Sequence, residues 1–107
     1  MKDTIKYQDE ILHIGDDWNR VYIIKGDLDL TNITGICKIR DDKDNLLLEA
    51  DCVADNNKLY VKIPSNKSLK IPRSVRKGYY DVFITNGDYH HKLVMGGFSF
   101  IHDISLH

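Results

Sequence analysis

Apolar and polar side chains alternate along most of this chain, and that period of two constrains the fold more than any other feature. In Lys58–Ile63, Leu59, Val61 and Ile63 fall on one face, and Lys58, Tyr60 and Lys62 on the other. Such alternation marks a strand with one buried side. Tyr79–Thr85 repeats it, with Tyr80, Val82 and Ile84 set against Tyr79, Asp81, Phe83 and Thr85. The same reading places strands at Glu10–Ile14, Trp18–Lys25, Gly35–Asp41, Leu46–Val53, Tyr89–Met95 and Gly97–Asp103. No window keeps an amphipathic helical repeat over three turns, and Ser65–Arg76 has room for a single helical turn. Asp44-Asn45, Asn56-Asn57 and Asn86-Gly87 each separate two strand-like runs. These residue types tolerate the positive φ of tight hairpin turns. Three hairpins in series predict a meander, within an all-β, two-sheet antiparallel sandwich of about eight short strands.

The 107 residues fit one domain, spanning 1–107. A 42% hydrophobic and 29% charged chain can bury a core without metal or disulfide staples. Fifteen basic and 16 acidic side chains leave a formal net charge of −1. Nucleic-acid binders gain affinity by neutralising phosphates, so this balance argues against a nucleic-acid partner. The basic stretch Lys62 to Lys77 is interrupted by Pro64 and Pro72 and reads as a solvated loop face. Met1-Lys2-Asp3-Thr4 lacks the apolar run of a signal peptide, and no segment has the length of a membrane span. No membrane partner is expected, and folding in a cytosol would keep the two cysteines as thiols.

If Asp44-Asn45 is a two-residue turn, Lys43 faces Leu46, Ile39 lies beside Ala50 and Cys37 faces Cys52. Buried free thiols are then expected, with a cross-strand disulfide as the alternative in an oxidising environment. His90 and His91 are adjacent in a strand and point to opposite faces. No His-x-His face and no Cys-x-x-Cys occurs, so no metal site is assigned. The Asn86-Gly87 turn sets His91 opposite Val82. The acidic tips at Asp41-Asp42-Lys43-Asp44-Asn45, Gly15-Asp16-Asp17 and Asp27-x-Asp29 could supply calcium oxygens, but they lack the EF-hand order and read as hairpin tips. No Gly-x-Ser-x-Gly elbow or phosphate-cradling Gly-x-x-x-x-Gly-Lys loop occurs. Catalytic and cofactor-binding residues are therefore assigned to none, and an enzyme is not expected. The outward positions hold more. Ile36, Leu47, Tyr60, Tyr79 and Phe83, with Tyr22 as a further candidate, all fall opposite the inferred core. Aromatic residues on a sheet face concentrate binding energy, so these six form the expected protein interface.

Several blocks occur in an order that resembles a phage virion module. They are Gly15-Asp16-Asp17-Trp18, then Asp29-Leu30-Thr31, Ile39-Arg40-Asp41 and Leu59-Tyr60-Val61-Lys62-Ile63-Pro64. Gly78-Tyr79-Tyr80-Asp81-Val82-Phe83-Ile84-Thr85 follows, then Asn86-Gly87-Asp88 and Gly96-Gly97. The module is an immunoglobulin-like β-sandwich found alone in small tailed-phage proteins and at the N-terminus of baseplate upper proteins. Baseplate members continue into a trimerising helical segment, which these 107 residues do not contain. The resemblance implies a virion structural protein assembled in the bacterial cytoplasm: a head fibre, capsid decoration, or neck, tail or baseplate accessory. Its implied partners are other virion proteins and further copies of itself, as a dimer or trimer. A carbohydrate-binding module using Trp18 or Tyr60 as an aromatic platform is the alternative, as is a small inhibitor of a host enzyme. Far-ultraviolet circular dichroism should show a β-rich spectrum; a predominantly helical one would remove the fold and the resemblance together.

Overall fold

The computed structural model of the chain describes residues 5–25, 30–87 and 90–102. Its strands are β1 (Lys6–Tyr7), β2 (Glu10–His13), β3 (Trp18–Ile23), β4 (Thr34–Asp41) and β5 (Leu46–Glu49). They continue with β6 (Asp51–Asp55), β7 (Lys58–Ile63), β8 (Lys77–Thr85) and β9 (His90–Ile101). One helical turn, α1 (Ser65–Ser68), lies in the crossover between β7 and β8, where the sequence leaves room for one. The larger sheet runs β1-β9-β8-β4-β5, with β2 continuing the β1 edge on β9; the smaller runs β3-β7-β6. The chain is a two-sheet β-sandwich. Alternation is borne out where it is clearest: Lys58–Ile63 is β7, and Leu59, Val61 and Ile63 are buried.

Three details of the expected register are corrected. The first hairpin turns through Asp42-Lys43-Asp44, with Asp41 N–H donating to the Asn45 carbonyl. Asp44 takes the left-handed conformation at φ 68°, as the last residue of a three-residue hairpin loop does. The Asp41 carboxylate accepts from the backbone N–H of Lys43 and Asn45 and from Asn45 Nδ2. That loop holds itself in shape and shifts the pairing. Ile39 faces Leu48 rather than Ala50, Arg40 faces Leu46, and Leu47 is left in a bulge.

The second correction is that Leu46–Val53 is not one strand. Ala50 N–H still donates to the Cys37 carbonyl of the larger sheet, while Asp51 is already paired with Lys62 of the smaller. The chain changes sheets at Ala50. Successive hairpins therefore do not build one meander. Cys52 faces Val61 on the smaller sheet, whereas Cys37 sits on β4 of the larger, so the two cysteines are not a cross-strand pair. The Asn56-Asn57 turn keeps its expected two residues, with Asp55 opposite Lys58 and Asn56 at φ 55°. The third concerns the pairing across Asn86-Gly87. Thr85 pairs with His90, and His91 faces Ile84 rather than Val82. The two runs drawn at Tyr89–Met95 and Gly97–Asp103 merge into one strand over His90–Ile101, with Tyr89 and Asp103 outside the described residues.

An aromatic knot fills one end of the core. Phe98 packs against Trp18, Tyr80 and Phe100 with centroid separations of 5.2, 5.1 and 5.6 Å. Such contacts add to the roughly 2 kcal/mol gained by burying each large side chain. The Tyr80 hydroxyl donates to the Gln8 carbonyl at 2.7 Å, tying β8 to the break between β1 and β2. In the same break Gln8 N–H donates to the Met95 carbonyl, and Asp9 Oδ1 accepts from Gly97 N–H. A side-chain oxygen thus stands in where the parallel backbone ladder is interrupted.

Gly96 is required by this close approach. A Cβ there would run into the backbone carbonyl of Gln8, whereas one at Gly97 would meet Asp9 Oδ1 at an ordinary 3.4 Å. Gly96→Ala should cost about 2 kcal/mol through overpacking against rigid backbone. Gly97→Ala should change stability far less. Thermal unfolding followed by circular dichroism checks both; equal melting temperatures for the two variants would contradict the packing described.

Candidate functional site

A sheet face becomes a site when its outward residues are apolar and adjacent across strands. On the smaller sheet, β3 and β6 flank β7 and the registers align in three rows. Val21, Tyr60 and Val53 form the middle row and are 51%, 40% and 63% exposed. Asn19, Lys62 and Asp51 form one flanking row, and Ile23, Lys58 and Asp55 the other. Side chains directly opposite on neighbouring strands touch, so the middle row is a continuous apolar band with Tyr60 at its centre. Lysines and aspartates bound it at both ends.

Along each strand the same nine residues sort differently. The β3 column is Asn19, Val21 and Ile23. The β7 column carries Lys58 and Lys62 around Tyr60, and the β6 column carries Asp51 and Asp55 around Val53. Among the described residues, Lys67 Nζ reaches Asp51 Oδ1 at 2.8 Å and also donates to the Glu49 carbonyl. Lys67 lies on α1, so this contact fastens the crossover beside the face.

The six residues expected from the sequence do not share one surface. Tyr60 lies at the centre of the band just described. Ile36, Tyr79 and Phe83 are on the outer face of the larger sheet, the opposite surface of the sandwich. There Ile36 sits beside Phe83, and Tyr79 is 60% exposed. Phe83 stacks obliquely on His90 at 5.5 Å, and Lys92 pairs with Asp81 at 3.3 Å. Leu47 and Tyr22 are corrections, since both pack against the core. The bulge turns Leu47 inward. Tyr22 shares the inward side of β3 with Trp18, and its hydroxyl is buried with no well-formed hydrogen bond. Trp18, offered as an aromatic platform, is only 4% exposed, and Arg20 caps its ring from 4.7 Å. Arg20 also bonds Glu10 of β2 and so joins the edges of the two sheets. Val21, Ile23 and Val53 were not among the expected site residues. Their signal is present, because Trp18–Lys25 and Asp51–Asp55 alternate as β7 does.

The acidic tips engage their oxygens locally. Asp41 is saturated by its own loop, and those hydrogen bonds, led by the Asn45 N–H, hold its carboxyl below the usual value. Asp17 Oδ1 accepts from Ser65 N–H at 2.7 Å, placing Gly15-Asp16-Asp17 against α1. Ser68, fully buried on α1, accepts from Gly15 N–H and donates to the Ser65 carbonyl. Asp27 and Asp29 lie outside the described residues. Among the described residues no three His, Cys, Asp or Glu side chains come together as a metal set.

No family model and no curated protein matches the sequence. Solved structures do match the fold. The M1 domain from titin aligns with a TM-score of 0.50 and 8% identity over 95% of both chains. The extracellular domain of the voltage-gated sodium channel β4 subunit aligns at 0.51 and 9%, covering 97% of this chain and 98% of that one. CopC from Methylosinus trichosporium aligns at 0.51 and 12%, over 97% and 91%. At these identities the likeness is one of architecture. The sandwich is immunoglobulin-like, with its opening strands in parallel beside its last.

Burial raises several acidic protons in the core. Desolvation pushes the Cys52 thiol up to about 11 and the Tyr80 phenol to about 12, and holds Cys37 and Tyr22 higher still. Each folded value lies above its unfolded one. The stabilising contribution is thus complete below the ordinary thiol and phenol range and is lost as pH rises through the folded values. In reducing buffer the melting temperature should hold up to about pH 8 and fall progressively above about pH 9. Under native conditions at pH 8, Ellman's reagent should label Cys52 slowly and Cys37 only on unfolding. Rapid modification of both would contradict the burial described.

Proposed function

We propose that this chain is a non-enzymatic structural protein of a bacteriophage particle, a protein–protein interaction module that docks through the outer face of its smaller sheet. The observation that carries the docking role is the Val21–Tyr60–Val53 band. These three apolar side chains are adjacent across every strand of the sheet and remain in solvent in the isolated chain. A folded chain gains nothing from such a band by itself, whereas a partner that covers it recovers the transfer free energy of each side chain. Tyrosine at the centre suits a contact surface, with a large ring, few rotatable bonds and a hydroxyl for the rim. The order of sequence blocks from Gly15 to Gly97 supplies the virion part of the reading. The carbohydrate alternative loses one of its two platforms, because Trp18 is inside the core.

Two measurements test the virion assignment and the docking face separately. Mass spectrometry of purified particles of the phage that encodes this sequence should detect the protein; consistent absence would end the virion assignment. Tyr60→Ser should cost about 1 kcal/mol through its cross-strand contacts with Val21 and Val53 and leave the chain folded. It should nevertheless lower incorporation into particles at least tenfold. Tyr79→Ser, on the opposite surface, should be incorporated normally. Equal incorporation of both variants would remove this face as the docking surface.

A further inference from the structure

We infer that the occupant of the smaller sheet's outer face is a second copy of this chain, packed about a two-fold axis that runs parallel to the strands between β6 and β7. The inference rests on the docking reading above and names its partner. Charge complementarity carries it. The β7 column presents Lys58 and Lys62, the neighbouring β6 column presents Asp55 and Asp51 at the same two levels, and the apolar row passes between them. A two-fold rotation about an axis midway between these columns exchanges them. It lays each β7 over the partner's β6.

Every contact in that arrangement is matched. Lys58 lies over the partner's Asp55, Lys62 over the partner's Asp51, and Tyr60 over the partner's Val53, each occurring twice. Tyr60 and Val53 are covered on both copies, while Val21 and Ile23 of β3 lie at the margin outside the overlap. Face-to-face sheets keep their strands close to aligned and about 10 Å apart, which suits an axis along the strands and the reach of lysine to aspartate. Two neighbouring arrangements fail on charge. Centring the axis on β7 stacks Lys58 on the partner's Lys58 and Lys62 on the partner's Lys62. Turning the axis across the strands stacks Lys62 on the partner's Lys58 and Asp51 on the partner's Asp55. Like charges opposed at close range are unfavourable. An axis between β3 and β7 lays Lys62 over the partner's Asn19 and Lys58 over the partner's Ile23 and gains no ion pair, so of the four the axis between β6 and β7 is the one that sets lysine over aspartate.

The side chains are available for this use. Among the described residues, the ion pairs of this region take up one oxygen of Asp51, through Lys67, and none of Lys58, Lys62 or Asp55. The larger sheet's outer face does not have this property, because Asp81 is paired with Lys92 within the chain and Lys38 faces both Asp81 and Glu49. An isologous contact also needs only one kind of surface, and the two copies bury it reciprocally.

A charge-swap experiment decides the matter, read by analytical ultracentrifugation on the full chain. Wild type should self-associate to a dimer within the micromolar to millimolar range. Lys58→Glu with Lys62→Glu should weaken that dimer at least tenfold, and so should Asp51→Lys with Asp55→Lys, while both remain folded by circular dichroism. Mixed in equal amounts, the two variants should form a one-to-one heterodimer, because the acidic β7 of one then meets the basic β6 of the other, and the basic β7 of the second meets the acidic β6 of the first. A monomeric wild type at millimolar concentration overturns the proposal, as does a mixture that stays monomeric, or two variants that dimerise as well as wild type. The proposed function fails differently. If the wild type is a monomer and Tyr60→Ser still blocks incorporation into particles, the face docks another protein. If the charge code holds and Tyr60→Ser is incorporated normally, the dimer stands and the docking role in the particle falls.

Discussion

The architecture depends on one backbone event, the change of sheet at Ala50. Up to that residue the chain is hydrogen-bonded to β4; one residue later it belongs to β7. A continuous hairpin would have left the smaller sheet with β3 and β7 alone. By crossing over, the same apolar run contributes Leu48 to one layer and Cys52 and Ala54 to the other. It also makes β6 the neighbour of β7, and so sets Asp51 and Asp55 beside Lys62 and Lys58. The striped face is therefore a product of topology as much as of composition.

The seams between the sheets are closed by polar contacts rather than by more apolar packing. On one side Glu10 of β2 grips Arg20 of β3, and the guanidinium lies on the Trp18 ring. Glu10 is buried, so without Arg20 its carboxylate would be an uncompensated charge at the rim of the core. Near the same edge the Tyr80 hydroxyl and the bare backbone of Gly96 accept the Gln8 turn. These contacts fix where the β1–β2 break falls.

The alternation of Lys58–Ile63 and Tyr79–Thr85 was enough to read an all-β sandwich, because one buried face per strand forces a period of two. Turn chemistry told where hairpins fall and gave the length of the Asn56-Asn57 turn, but not that of the Asp41–Asn45 hairpin. Asp44 and the bulge at Leu47 moved a register that two-residue reasoning had placed otherwise, and with it Ile39's neighbour. The site was legible only to a limited extent for a related reason. Alternation says whether a side chain points out of its own sheet and is silent about which sheet that is. Tyr60 and Phe83 are both outward, yet they occupy opposite surfaces. Trp18–Lys25 carried Val21 and Ile23 in the same pattern, but nothing within a single strand shows that Val21, Tyr60 and Val53 stand side by side. That adjacency is a long-range property of pairing.

The parallel ladder between β1–β2 and β9 has a mechanical consequence. Tension entering ahead of β1 and leaving after β9 pulls these neighbours in opposite directions along their length. Their hydrogen bonds, from Lys6–Val94 through His13–Ile101, then bear the load together in shear. An antiparallel edge pulled from its open end would instead unzip, each rung failing in turn. The fold thus resists stretching along its long axis better than a hairpin-terminated sandwich built from the same number of bonds.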